Sequence, residues 1–116
     1  MFLGIDIGSS STKVAIIDDN KQLVGVSVLN LGTGTTAYEQ VIADALEQAH
    51  ATKDDIEYTI ATGYGRVNYK DEDKQITEIT CHAKGVNYLT KNAKTIVDIG
   101  GQDAKGIKLD KNGKVA

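Results

Sequence analysis

The chain opens with an apolar run, residues 1 to 5. It breaks into the polar stretch Asp6-Ile-Gly-Ser-Ser-Ser-Thr-Lys13 and turns apolar again over residues 14 to 17. Short apolar runs on either side of a polar, glycine-containing tip predict two strands joined as a hairpin. Asp18-Asp19-Asn20-Lys21 reads as a second tight turn, because Asp and Asn side chains bond the backbone a few residues on. Residues 22 to 29 then alternate, with Leu23, Val24, Val26 and Val28 among small or polar neighbours, and predict a third strand. Both turns are too short to hold a helix, so the three strands form an antiparallel meander.

A Gly/Thr-rich loop, residues 30 to 36, leads to Thr36 and Glu39 at capping-box spacing. On the helix that follows, Tyr38, Val41, Ile42, Ala45, Leu46 and Ala49 share one stripe, and the pattern ends near His50. Residues 56 to 62 predict a fourth, buried strand. Thr62-Gly-Tyr-Gly-Arg66 closes it with a tight turn that uses Gly63 and Gly65 and presents Tyr64 and Arg66 at its tip. The acidic residues 71 to 73 suit the positive end of a helix dipole. A second helix, from about residue 75 to about residue 92, is predicted to bury Ile76, Ile79, Ala83, Val86 and Leu89. Gly85 within it costs on the order of 1 kcal/mol against alanine and marks an expected close approach of backbone. Thr95-Ile-Val-Asp-Ile-Gly-Gly-Gln-Asp-Ala-Lys105 then predicts a strand, a polar turn and a returning strand, with Asp110-Lys-Asn-Gly113 as a further turn.

This last segment repeats the first. Asp6-Ile7-Gly8 corresponds to Asp98-Ile99-Gly100 and, without a gap, Lys13 to Lys105 and Asp18 to Asp110. A repeat of this kind predicts two equivalent domains, each opening on the same hairpin. Taken alone, the tip at residues 6 to 13 is equally an ordinary polar turn or a phosphate grip made of backbone N–H groups, hydroxyls, a lysine and an acid that holds Mg²⁺ through water. The second copy favours the grip. Two such tips facing each other across a cleft would hold a polyphosphate from both sides, with the two Asp residues near the metal.

Composition narrows the classes. At 116 residues the length fits one compact domain. Aromatic residues are only 5% of the chain, so Ile, Val, Leu and Ala must build the core. A formal net charge of −3 argues against a nonspecific nucleic-acid binder. No run reaches the length of a membrane span, and the first residues enter a strand pattern without a basic leader. The single cysteine excludes an intrachain disulfide and suits a reducing cytoplasm.

The order βββαβα followed by a restart is similar to the actin, sugar kinase and Hsp70 superfamily, whose α/β domains are ribonuclease H-like. More closely, Asp6-Ile-Gly-Ser-Ser-Ser-Thr-Lys13, Thr62-Gly-Tyr-Gly-Arg66, Ile76-Thr-Glu-Ile-Thr-Cys-His-Ala-Lys-Gly85 and Asp98-Ile-Gly-Gly-Gln-Asp-Ala-Lys105 together resemble the BadF/BadG/BcrA/BcrD-type ATPases. Within these they are most similar to the activators of 2-hydroxyacyl-CoA dehydratases. The resemblance implies a ribonuclease H-like ATPase domain over residues 1–93 and the opening hairpin of a second domain over 94–116. It implies that ATP or ADP binds with Mg²⁺, held by Asp6 and Asp98, partly through water. Gly8, Ser9, Ser10 and Ser11 would cradle phosphate, as would Gly100, Gly101 and Gln102. Ser11 and Thr12 would add hydroxyls, and Lys13 and Lys105 would offset charge. Catalysis would rest on Asp98 and on Gln102, whose neutral amide orients water better than the carboxylate of Asp103 does. It further implies a cytoplasmic homodimer that carries one [4Fe-4S] cluster and, driven by ATP hydrolysis, passes a low-potential electron to the dehydratase.

The sequence departs from that pattern by stopping. The cluster cysteines and most of the second domain would lie beyond Ala116, so the expectation is a truncated part of a longer ATPase, itself inactive or weakly active. Rival readings are a nucleotide-binding or self-associating module without catalysis, and a small-metabolite kinase of the same fold, which should carry a substrate-side carboxylate as general base. Cys81 reads as a packing residue, and its neighbour His82 points about 100° away around the helix, so the two form no metal pair. Glu78 and His82 share a face. Residues 71 to 73 read as a solvated helix start. Tyr64 and Arg66 read either as a loop tip or as a contact with nucleotide, dehydratase or second protomer.

Overall fold

A computed structural model describes residues 1–30, 37–90, 94–99 and 104–116. By contacts the chain forms two compact units, Met1–Gln75 and Ile76–Ala116.

In the first unit, strands β1 (Phe2–Ile7), β2 (Thr12–Ile17) and β3 (Leu23–Leu29) form the expected meander, with helix α1 (Ala37–Gln48) and strand β4 (Tyr58–Thr62) after it. A short fifth strand, β5 (Lys74–Gln75), lies outside the sequence expectation. The sheet runs β3-β2-β1-β4-β5, with β1 antiparallel to β2 and parallel to β4. Putting β1 at the centre gives it hydrogen-bonding neighbours on both sides, which is why its apolar positions tolerate full burial.

The pleat sorts the side chains. On β1, Leu3, Ile5 and Ile7 are buried, while Phe2, Gly4 and Asp6 turn to the other face. Val14 and Ile16 of β2 and Ala61 of β4 join the buried set. Val41, Ile42, Ala45 and Leu46 of α1 pack on it, as the stripe predicted, with Tyr38 and Ala49 at its margin. Tyr69 completes this core, its ring edge-on to Tyr38 at 5.7 Å between centroids. The expected capping residue Thr36 lies outside the described residues.

The outer edge of the sheet, β3, is closed by a side chain. Gln48 at the end of α1 accepts from Val26 N–H at 3.0 Å and donates to Val26 C=O at 2.7 Å. Its amide thus stands where a neighbouring strand would.

The second unit holds helix α2 (Glu78–Leu89) and the hairpin β6 (Thr95–Ile99) and β7 (Ala104–Lys108). Helix α2 starts later than the sequence pattern implied, because the preceding residues are used as strand. Lys74 and Gln75 pair with Ile60 and Ala61 of β4. Just before them Asp73 accepts from Thr59 N–H at 2.7 Å and donates its own N–H to Thr59 C=O at 2.8 Å. Asp73 is therefore a sheet-edge residue of the first unit rather than a solvated helix start. The predicted stripe of α2 is also only partly buried. Ala83 and Val86 pack against Ile96, Ile107 and Leu109, whereas Ile79 and Leu89 stand exposed. Among the described residues nothing lies within 4 Å of a Cβ placed on Gly85, so no close approach among them explains it.

The internal repeat extends to strand register. Leu3 pairs with Ile16 and Asp6 with Lys13 in the first hairpin; Thr95 pairs with Lys108 and Asp98 with Lys105 in the second. The turns that follow match as well. The Asp18 carboxylate accepts from the N–H groups of Asn20 and Gln22, and that of Asp110 from Asn112 and Lys114. Lys21 and Gly113 take the same left-handed position, at φ 61° and 78°.

Candidate functional site

The tip of the β1–β2 hairpin is a tight loop closed by Gly8 N–H donating to Ser11 C=O at 2.8 Å. Asp6 and Lys13 face each other across the hairpin on the face away from α1. Lys13 Nζ lies 3.5 Å from Asp6 Oδ2 and donates to Ser11 Oγ at 3.0 Å. Both side chains are more than a third or about a third exposed, so water screens the pair and its stabilising effect is small. Its consequence is placement: a carboxylate, an ammonium and a hydroxyl are held together at an open loop. A Cβ on Gly8 would sit 3.3 Å from Lys13 Nζ, so the glycine leaves room for the lysine to fold over the tip.

Ser9 and Ser10 are exposed at the loop. Thr12 is different. It is fully buried, in register with Ile7, and so points to the α1 face, away from Asp6 and Lys13.

A second wall comes from the turn after β4. Gly63 adopts φ 92°, and a Cβ there would collide with Asp6 Oδ1 and the Ile7 carbonyl, so only glycine fits. Gly65 N–H donates to Ile7 C=O at 2.8 Å, at an ordinary φ of −90°. Arg66 folds back on its own turn, donating from Nη1 to Gly63 C=O at 2.9 Å. Tyr64 is 74% exposed. The glycine motif that the sequence read as a loop tip thus braces the end of β1, directly behind Asp6. Sequence reasoning included Thr62 in this motif but gave it no role; it pairs with Asp6 in the β1–β4 register.

The residues of the first loop suit a magnesium–nucleotide pair. Magnesium keeps most of its waters and needs one or two carboxylates, and Lys13 and Ser11 present donors to phosphate. Among the described residues no group of three or more His, Cys, Asp or Glu side chains gathers to hold a metal directly. A [4Fe-4S] cluster takes four thiolates, and this sequence has only Cys81, half-buried on α2. The residues in hand do not fit that cluster. Of the second loop, Gly100, Gly101, Gln102 and Asp103 lie outside the described residues, as do the side chains of Asp98 and Lys105. No described helix is long and apolar enough to cross a membrane.

Comparison with known proteins places this geometry. Residues 3–116 match the model of the BadF/BadG/BcrA/BcrD ATPase family. The activator of lactoyl-CoA dehydratase from Anaerotignum propionicum is 51% identical over 97% of this chain. The chain spans less than half of that relative, 44% of its length. The solved activator of 2-hydroxyisocaproyl-CoA dehydratase from Clostridium difficile, with bound ADPNP, superposes on 98% of the chain at a TM-score of 0.94 and 44% identity, with 42% of its own length covered. A putative 2-dehydro-3-deoxygalactonokinase from Sinorhizobium meliloti, 14% identical, superposes over 99% of this chain and 52% of its own at a TM-score of 0.58. That likeness shows the fold alone: the ribonuclease H-like α/β architecture of the sugar kinases and actin. With the hairpin, its repeat and the family match all in agreement, the chain belongs to the BadF/BadG/BcrA/BcrD ATPase family.

Proposed function

We propose that this chain is the nucleotide-binding first part of an ATPase that activates a 2-hydroxyacyl-CoA dehydratase. The observation that carries it is the Asp6–Lys13–Ser11 arrangement at the β1–β2 tip, together with the identical register of Asp98 and Lys105 in the second hairpin. On this reading residues 1–93 belong to one ATPase domain and 94–116 open the next. Backbone N–H groups of Ser9 to Ser11 would orient phosphate, while the Gly8 N–H, expected to join them, is spent on closing the loop to Ser11 C=O. Lys13 would offset the phosphate charge and Asp6 would hold a magnesium ion through water. That ion, when bound, supplies charge neutralisation for the phosphate oxygens. Thr12 anchors the loop from within the core. By the repeat, Gly100, Gly101, Gln102 and Lys105 of the second loop would take the corresponding parts, Asp98 would help hold the metal through water, and Gln102 would orient the attacking water. The chemistry asks for positioning and electrostatics, with no covalent step on the protein.

The dehydratase is the proposed partner, by likeness to the activators. The homodimer and the electron-transferring cluster rest on the same likeness. No step is assigned to a cluster here, since these residues do not ligate one.

Titration with MgATP and MgADP, and phosphate release, test the reading on the protein that carries this sequence. Asp6→Ala and Lys13→Ala should each weaken nucleotide binding at least about ten-fold, the scale of a charge-assisted contact. Asp98→Asn should depress hydrolysis far more than binding. No binding by the parent protein, or variants that bind as well as it does, would refute the reading.

A further inference from the structure

Thr62 is only 8% exposed, yet among the described residues its hydroxyl has no hydrogen-bond partner. A buried hydroxyl without a partner is costly, and natural structures seldom keep one without a use. Its position suggests the use. In the parallel β1–β4 pairing Ile5 matches Ala61, and both are in the α1-facing core. Thr62 matches Asp6, one residue on, and by alternation it shares Asp6's face. The following residue, Gly63, leaves the space that the Asp6 carboxylate occupies. The other unpartnered hydroxyl among the described residues, that of Tyr38, belongs to the ring pair with Tyr69.

We infer that Thr62 is a ligand-binding residue of the site: its hydroxyl hydrogen-bonds a water held at Asp6 in the shell of a divalent cation. The inference rests on the nucleotide reading above and adds a fourth group to the Asp6–Lys13–Ser11 arrangement. A hydroxyl is suited to this task because it both donates and accepts, and so can serve a water whose protons already point to the carboxylate. Gly63 makes the arrangement geometrically available, since any larger residue would push Asp6 off the position that Thr62 shares.

The experiment compares the parent protein with Thr62→Val, which keeps the shape and removes the hydroxyl, and Thr62→Ser, which keeps the hydroxyl. ADP is titrated with Mn²⁺ and, separately, in chelator, and thermal unfolding is followed without ligand. Thr62→Val should weaken Mn²⁺-dependent ADP binding about five-fold, the scale of one hydrogen bond. Its cation-free affinity should be unchanged, and its unliganded Tm equal to or above that of the parent, because an unpaired hydroxyl has left the interior. Thr62→Ser should bind like the parent. Equal Mn²⁺-dependent affinity for Thr62→Val, or an equal loss with and without cation, would overturn the assignment while leaving the nucleotide reading intact. A parent protein that binds no nucleotide under either condition would overturn that reading and this inference with it.

Discussion

Tyr69 shows how much one residue can report on the first unit. It is buried beneath α1, edge-on to Tyr38, and next to an acidic run in sequence. Burial first, and then the charges of Asp71 and Glu72, hold its phenol above the usual range near 10. The sign follows directly. The fold favours the neutral phenol, and the unfolded chain ionises first as pH rises. The protein's stability from this group is therefore fully present below the unfolded pKa and is lost as pH climbs from there through the folded value. Urea unfolding across about pH 8 to 11 should show the midpoint falling on the alkaline side, and Tyr69→Phe should flatten that fall. Unaltered slope in Tyr69→Phe would assign the alkaline loss to other groups. Lys21, at the left-handed position that its repeat partner fills with Gly113, is a second residue whose backbone says more than its charge.

At the scale of elements, the sheet edge and the second helix behave in opposite ways. Strand β3 is an edge, and its Val26 backbone groups would invite another chain to pair. Gln48 satisfies both. Gln48→Ala should cost about 1–2 kcal/mol, two exposed hydrogen bonds, and should raise self-association at high concentration. Chemical denaturation and sedimentation velocity read the two effects. A variant with the parent's stability and the parent's association state would remove the edge-closing role. Helix α2, by contrast, carries a fair amphipathic stripe that its own unit buries only at Ala83 and Val86, leaving Ile79 and Leu89 exposed. The periodicity predicted the whole stripe buried, whereas the described residues of the hairpin cover it only around Ala83 and Val86.

For the whole molecule, the repeat is the feature with the widest reach. Two hairpins share a register and two Asp-centred turns share their hydrogen bonds, one set in each compact unit. Asp18→Ala and Asp110→Ala should each loosen only its own turn, by about 1–2 kcal/mol. Amide exchange would show this, at Asn20 and Gln22 for the first and at Asn112 and Lys114 for the second. Cross-effects between them would mean that the turns are coupled.

The meander, the α1 stripe and the repeat were all legible in the residues, because each is a local matter: period 2, period 3.6, and turn residues at fixed offsets. The family and its ribonuclease H-like fold followed from four motifs in order, read as a resemblance. What the chain alone left open depends on residues far apart in sequence. Strand β5 exists because Asp73 meets Thr59, and the sheet edge is closed because Gln48 meets Val26. Thr12 looked like a phosphate-facing hydroxyl, and the pleat turns it into the core. Thr62 looked like the end of a strand, and the parallel pairing sets its unpaired hydroxyl beside Asp6. Periodicity tells which face of an element is apolar; only packing decides what that face meets, and which polar groups end up buried without a partner.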